Sequence, residues 1–88
     1  MQFKAQEIRA AMTANSINSD NLLDYVNEKT GLNIKVNYLN RIIAGNRKNR
    51  KVEGVIEELF GSWIEGTRRL NKQIQFNDKQ TEVADVRL

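Results

Sequence analysis

The sequence predicts a small all-α domain, and three observations carry that prediction. No proline occurs anywhere in its 88 residues. Apolar residues recur mostly at spacings of three and four, which gathers them on one face of a helix. Between these runs stand clusters of Asn, Ser, Asp and Gly, residues that cap helices or turn the chain. A chain of this length makes one domain, which buries only about 60% of its unfolded surface and folds with little to spare. The expected architecture is a four- to five-helix bundle over residues 1–72, followed by a flexible or arm-like tail over residues 73–88.

The first helix is expected over residues 3–14, with Ile8, Ala11 and Met12 on its inner face. "ANSINSD" breaks it, and Ser19 is placed to cap a second helix with Asp20 in the first turn, where the helix dipole favours an acid. Leu22, Leu23 and Val26 form the inner stripe of that helix, and Gly31 stops it. A third helix is expected from Ile34 or Lys35 to Ala44, capped by Asn33 and ended by Gly45. At 100° per residue, Val36, Leu39, Ile42 and Ile43 share its core face. Its outward face carries Asn37 and Arg41, flanked by Ile34, Tyr38 and Ala44.

A fourth helix is expected to begin at Lys51 or Val52 and to use Val52, Val55, Ile56 and Leu59. Gly61 reads as its stop, since Ser62 and Glu65 follow at capping-box spacing. A fifth helix then runs from Trp63 to Asn71 or Gln73, packing through Trp63, Ile64 and Leu70. The alternative is one long helix, in which Gly54, Gly61 and Gly66 would each cost about 1 kcal/mol relative to alanine; the break is preferred. In the last segment Ile74 and Phe76 alternate like a strand, whereas Val83 and Val86 are spaced like a helix.

Composition excludes several function classes. With no cysteine there is neither a disulfide framework nor a thiolate metal site, and with no histidine the commonest general base is missing. No apolar run approaches a membrane span, and the N-terminus lacks a signal-peptide core. These features point to a cytoplasmic, non-enzymatic protein with no cofactor, metal or small-molecule substrate. The net charge of +3 understates a strong segregation. From Lys29 to Lys51 seven cations (Lys29, Lys35, Arg41, Arg47, Lys48, Arg50 and Lys51) occur without one acid. Such a stretch makes a local positive field. Glu53, Glu57 and Glu58 read as a solvated helix face, and Phe60 and Trp63 as core residues.

The segment "NLLDYVNEKTGLNIKVNYLNRIIAGNRK" reads as helix, glycine turn, helix, glycine. It resembles the helix-turn-helix of λ-repressor-like DNA-binding domains through Val26, Gly31, Leu32, Leu39, Ile42 and Gly45. The Gly31-to-Leu39 spacing is about two residues longer than that family usually has, so either the turn is extended or the second helix starts later. "LNRIIAGNRKNRKVEGVIEELFG" also resembles small helix-turn-helix proteins of Mu-like transposable phages, in which a recognition helix ends on glycine before a basic loop. These resemblances imply double-stranded DNA binding connected with phage regulation or transposition; with the residue chemistry, the expected function is a phage or mobile-element transcriptional regulator, repressor or activator. They also imply that the second helix of the pair enters the major groove.

The residue chemistry gives the same picture from below. Arg41 can bond guanine bidentately, Asn37 can bond adenine through its amide, and Tyr38 can offer a hydroxyl or a ring. Lys35, Arg47, Lys48, Arg50 and Lys51 are candidates for phosphate contacts, whose affinity comes from released counterions. A homodimer, joined through the fifth helix or the C-terminal arm, is expected, because one small module seldom binds an operator tightly. Two other readings stay open: a protein-binding adaptor or inhibitor acting through the arm, and RNA binding through the basic loop.

Overall fold

The computed structural model describes the backbone of residues 1–87 and the side chains of residues 1–74. Four helices form it: α1 (Ala5–Ala14), α2 (Ser19–Thr30), α3 (Val36–Ala44) and α4 (Arg50–Arg87). Helix α4 packs against each of the other three and is the spine of the bundle. At about 1.5 Å per residue its length matches the 59 Å long axis of the molecule. None of the helices is long and apolar enough to cross a membrane, among the described residues.

The core follows the expected stripes closely. Ile8, Ala11 and Met12 from α1, Leu22 and Val26 from α2, and Leu39, Ile42 and Ile43 from α3 are buried with Val52, Ile56, Phe60 and Ile64 of α4. Phe3 precedes α1 rather than belonging to it, yet its ring is buried in the same cluster. Leu23 is half-buried against the core, as are Val55, Leu59 and Trp63.

Caps and boundaries differ from expectation at several points, each for a local reason. Asn18, not Ser19, caps α2: its side-chain oxygen accepts the Asn21 backbone N–H at 2.7 Å. Helix α3 starts at Val36 with Lys35 at the cap, so Asn33 does not cap it. The later start leaves Ile34 outside the helix, and its side chain packs against the core instead of flanking the outward face. Val36, as the first helical residue at the edge of the bundle, is only half-buried. Gly31 and Gly45 end α2 and α3 with φ of 72° and 86°, a left-handed conformation that costs glycine least.

The largest correction concerns the expected break at Gly61. Helix α4 runs through it, and Val52, Ile56, Phe60 and Ile64 form one unbroken i, i+4 stripe, each nearly fully buried. Burying such side chains is worth about 1.5–3 kcal/mol each, which outweighs the glycine penalty. The Phe3 ring also lies over Gly61, where an added Cβ would sit 3.7 Å from it. That is ordinary contact, so Gly61→Ala is expected to raise stability by up to about 1 kcal/mol, read as a higher urea midpoint. A glycine ending the helix in left-handed geometry would give the opposite sign, and a lowered midpoint would restore the break.

The continuous helix corrects one expectation and decides one that the sequence left open. Leu70, expected as a packing residue, is 53% exposed. The Ile74–Phe76 alternation belongs to a helix, not a strand. The role expected for an arm beyond Ile74 falls on side chains outside the described residues.

One ion pair joins the ends of the bundle. Arg68 of α4 donates to both carboxylate oxygens of Glu7 in α1, at 2.5 and 2.6 Å, and lies over the Phe3 ring. The Arg68 hydrogen bond, with the Lys4 backbone N–H, holds the Glu7 carboxyl down at about 2.

Candidate functional site

The α2–α3 connection decides how α3 is presented. It spans five residues, Gly31 to Lys35, so the turn is extended and the helix also begins late. Its geometry is set by Asn27 on α2. The Asn27 side chain accepts the Ile34 N–H at 3.0 Å and donates to the Ile34 carbonyl at 3.1 Å. Both polar groups of one turn residue are thereby satisfied by one amide, which substitutes for the missing regular structure. Thr30 adds a hydroxyl that bonds the Val26 carbonyl and receives the Leu32 N–H. Nothing in the sequence marked Asn27, because the contact joins residues seven apart across an irregular turn.

From this fixed start α3 turns Asn37 and Arg41 outward, and both are exposed. Tyr38 is placed differently: it is half-buried against the core, and its hydroxyl meets the Asn49 side-chain amide at 3.5 Å. Asn40, between them, has its side-chain oxygen buried without a partner.

Behind α3 the chain folds back tightly. The Arg41 carbonyl accepts the N–H groups of Asn46 and Arg47 at 2.8 and 3.2 Å, which brings the basic loop against the end of the helix. Asn49 closes the loop by accepting the Val52 N–H at 3.2 Å, capping α4. The loop is anchored from below by Glu53. This carboxylate accepts the Asn49 N–H at 3.0 Å and contacts the Met1 ammonium at 2.6 Å, and the residue is buried. The solvated role expected for Glu53 is therefore corrected. Its hydrogen bond with the Met1 ammonium keeps it below the usual carboxylate range in spite of burial.

The cations stand free on this frame. Lys35, Arg41, Arg47, Lys48, Arg50 and Lys51 are all exposed, and none is in an ion pair among the described residues. Arg47 and Lys48 follow the negative end of the α3 dipole, where cations are favourable. Arg50 and Lys51 occupy the first turn of α4, where cations are unfavourable by about 0.3–1 kcal/mol each. Helix stability does not explain them. Among the described residues no cluster of His, Cys, Asp or Glu has the makeup of a metal site.

Comparison with protein-family models, with curated proteins and with solved structures gives no match.

Proposed function

We propose that this protein binds double-stranded DNA through α3 and the basic loop behind it, as a transcriptional regulator of a phage or mobile element. On this reading it acts in the cytoplasm by binding alone, not by catalysis. The observation that carries the proposal is the unpaired cationic surface: six exposed cations from Lys35 to Lys51, two of them placed against the preference of the α4 dipole. Residues that break a local rule without local gain are expected where a ligand supplies the compensation. Phosphates are such a ligand, with Lys35, Arg47, Lys48, Arg50 and Lys51 along the backbone. Asn37 and Arg41, one turn apart and exposed, offer the amide and guanidinium that bond adenine and guanine edges. Tyr38, with its ring on the core and its hydroxyl at Asn49, offers an edge of the phenol. Two copies on a palindromic operator supply the affinity that one small module lacks.

The test is selection of bound duplexes from a random library, followed by titration at about 50 and about 200 mM salt. A defined half-site and a steep salt dependence are expected. Arg41→Ala should cost about 1–3 kcal/mol on the selected site and relax the preference at one base pair, leaving affinity for random DNA nearly unchanged. Undetectable affinity for any duplex at the lower salt would defeat the proposal, and stronger competition by RNA would redirect it to that polymer.

A further inference from the structure

Asn33 is the side chain of the α2–α3 turn whose expected use the fold removes. It stands two residues ahead of the Lys35 cap, and α3 begins without a side-chain cap, which leaves the Asn33 amide free of the helix. From Gly31 to Val36 exposed and half-buried residues alternate one by one. That is the period of an extended chain, in which neighbouring side chains point to opposite sides. Leu32 and Ile34 take the inner side and pack against the core. Asn33 and Lys35 take the outer side, and both are exposed. Lys35 itself has an extended backbone. The Asn27 amide grips both polar groups of Ile34, so the backbone next to Asn33 is fixed from α2.

We infer that this turn belongs to the reading surface: Asn33 bonds a base edge, and Asn27 is the positioning residue that holds it in place. This rests on the DNA-binding reading given above and extends it to the segment ahead of α3. A recognition helix brings its N-terminal end nearest the bases, and Asn33 lies just beyond that end. Two extended residues advance the chain by about 6–7 Å, the height of about two base pairs. A contact at that reach lengthens the read segment past what α3 alone spans. The amide suits adenine, since it donates to N7 while accepting from the N6 amino group. A pinned turn also presents its side chain without the ordering cost that a loose five-residue loop carries on binding.

The test compares the parent with Asn33→Ala and Asn27→Ala, by selection from a random duplex library and by titration on selected and random duplexes. Asn33→Ala should relax the preference at one base pair outside those set by Asn37 and Arg41. Its affinity for the selected site should fall about 10-fold, with affinity for random DNA and the salt slope kept. Asn33 is exposed, so this variant keeps the fold. Asn27→Ala should relax the same outer base pair together with the one set by Asn37. Its affinity for random DNA should hold, because the cations behind α3 are carried by the other end of that helix. If the parent selects a half-site and Asn33→Ala selects it unchanged, the inference fails while the DNA reading stands. Equal weakening of Asn33→Ala on every duplex makes it a phosphate contact and also overturns base reading. Equal loss on selected and random duplexes by Asn27→Ala overturns its positioning role. A parent that binds no duplex removes the DNA reading and this extension together.

Discussion

Replacing Arg47, Lys48, Arg50 and Lys51 together by alanine is expected to abolish most DNA affinity while leaving the fold at least as stable as before. Each phosphate contact contributes a slope of about 0.9 to the logarithmic salt dependence, so losing four should lower the slope by roughly 3–4 per chain. At low salt the loss should be about 100-fold or more. Stability should move the other way. Arg50 and Lys51 oppose the α4 dipole, and their removal relieves up to about 1 kcal/mol each. The hydrogen bonds of Asn49 and Glu53 are untouched by the substitutions, which remove only the attraction of Lys48 for the Glu53 carboxylate, the smallest of the contributions that hold it charged. Binding titrations at several salt concentrations and a urea melt on the same variant measure both arms. A gain in stability with unchanged DNA affinity would mark the loop as a solvated surface with no ligand. A loss of both would mean that the cations are structural.

Phe60→Ala should carry the largest structural effect. Phe60 is among the largest side chains fully buried, on the face of α4 that meets the other helices. Truncating a buried phenylalanine costs about 3–5 kcal/mol, the lost transfer energy plus the cavity left behind. For a domain whose total stability is only about 5–15 kcal/mol, that removes a large share of it. Urea unfolding followed by helical circular dichroism should show the midpoint fall steeply, whereas Leu70→Ala, at an exposed site, should change the monomer by less than about 0.5 kcal/mol. Comparable effects at the two positions would mean that α4 is not the spine described here.

Both predictions draw on features whose legibility in the sequence differs. The burial of Phe60 and the display of Arg41 were readable, because helical periodicity separates an inner from an outer face without any knowledge of partners. Gly31 and Gly45 were readable for the same reason: a chain that must turn after a helix favours the residue that tolerates positive φ. The continuity of α4 through Gly61 was not readable. A local propensity of about 1 kcal/mol argued for a break, and only the burial of Phe60 and Ile64, with Phe3 lying over the glycine, outweighs it. The true start of α3 was also hidden, since it depends on the clamp that Asn27 places on Ile34 across the turn. Glu53 followed the same rule, read as solvated because its partners, the Asn49 N–H and the Met1 ammonium, come from a loop and from the chain terminus.

By itself, then, the sequence determined an all-α chain, most of the residues that make its core, and an acid-free cationic stretch from the end of the second helix to the start of the fourth. These follow from local periodicity and composition, which depend on neighbours a few residues away. Only the tertiary structure decided that the last helix is continuous, that the α2–α3 turn is long and pinned, and that Glu53 underpins the basic loop. It also decided that the core stripe of α4 emerges uncovered at Leu70 and Ile74. Each of these rests on contacts between residues distant in the chain or on where burial ends, and one-dimensional spacing carries no record of either.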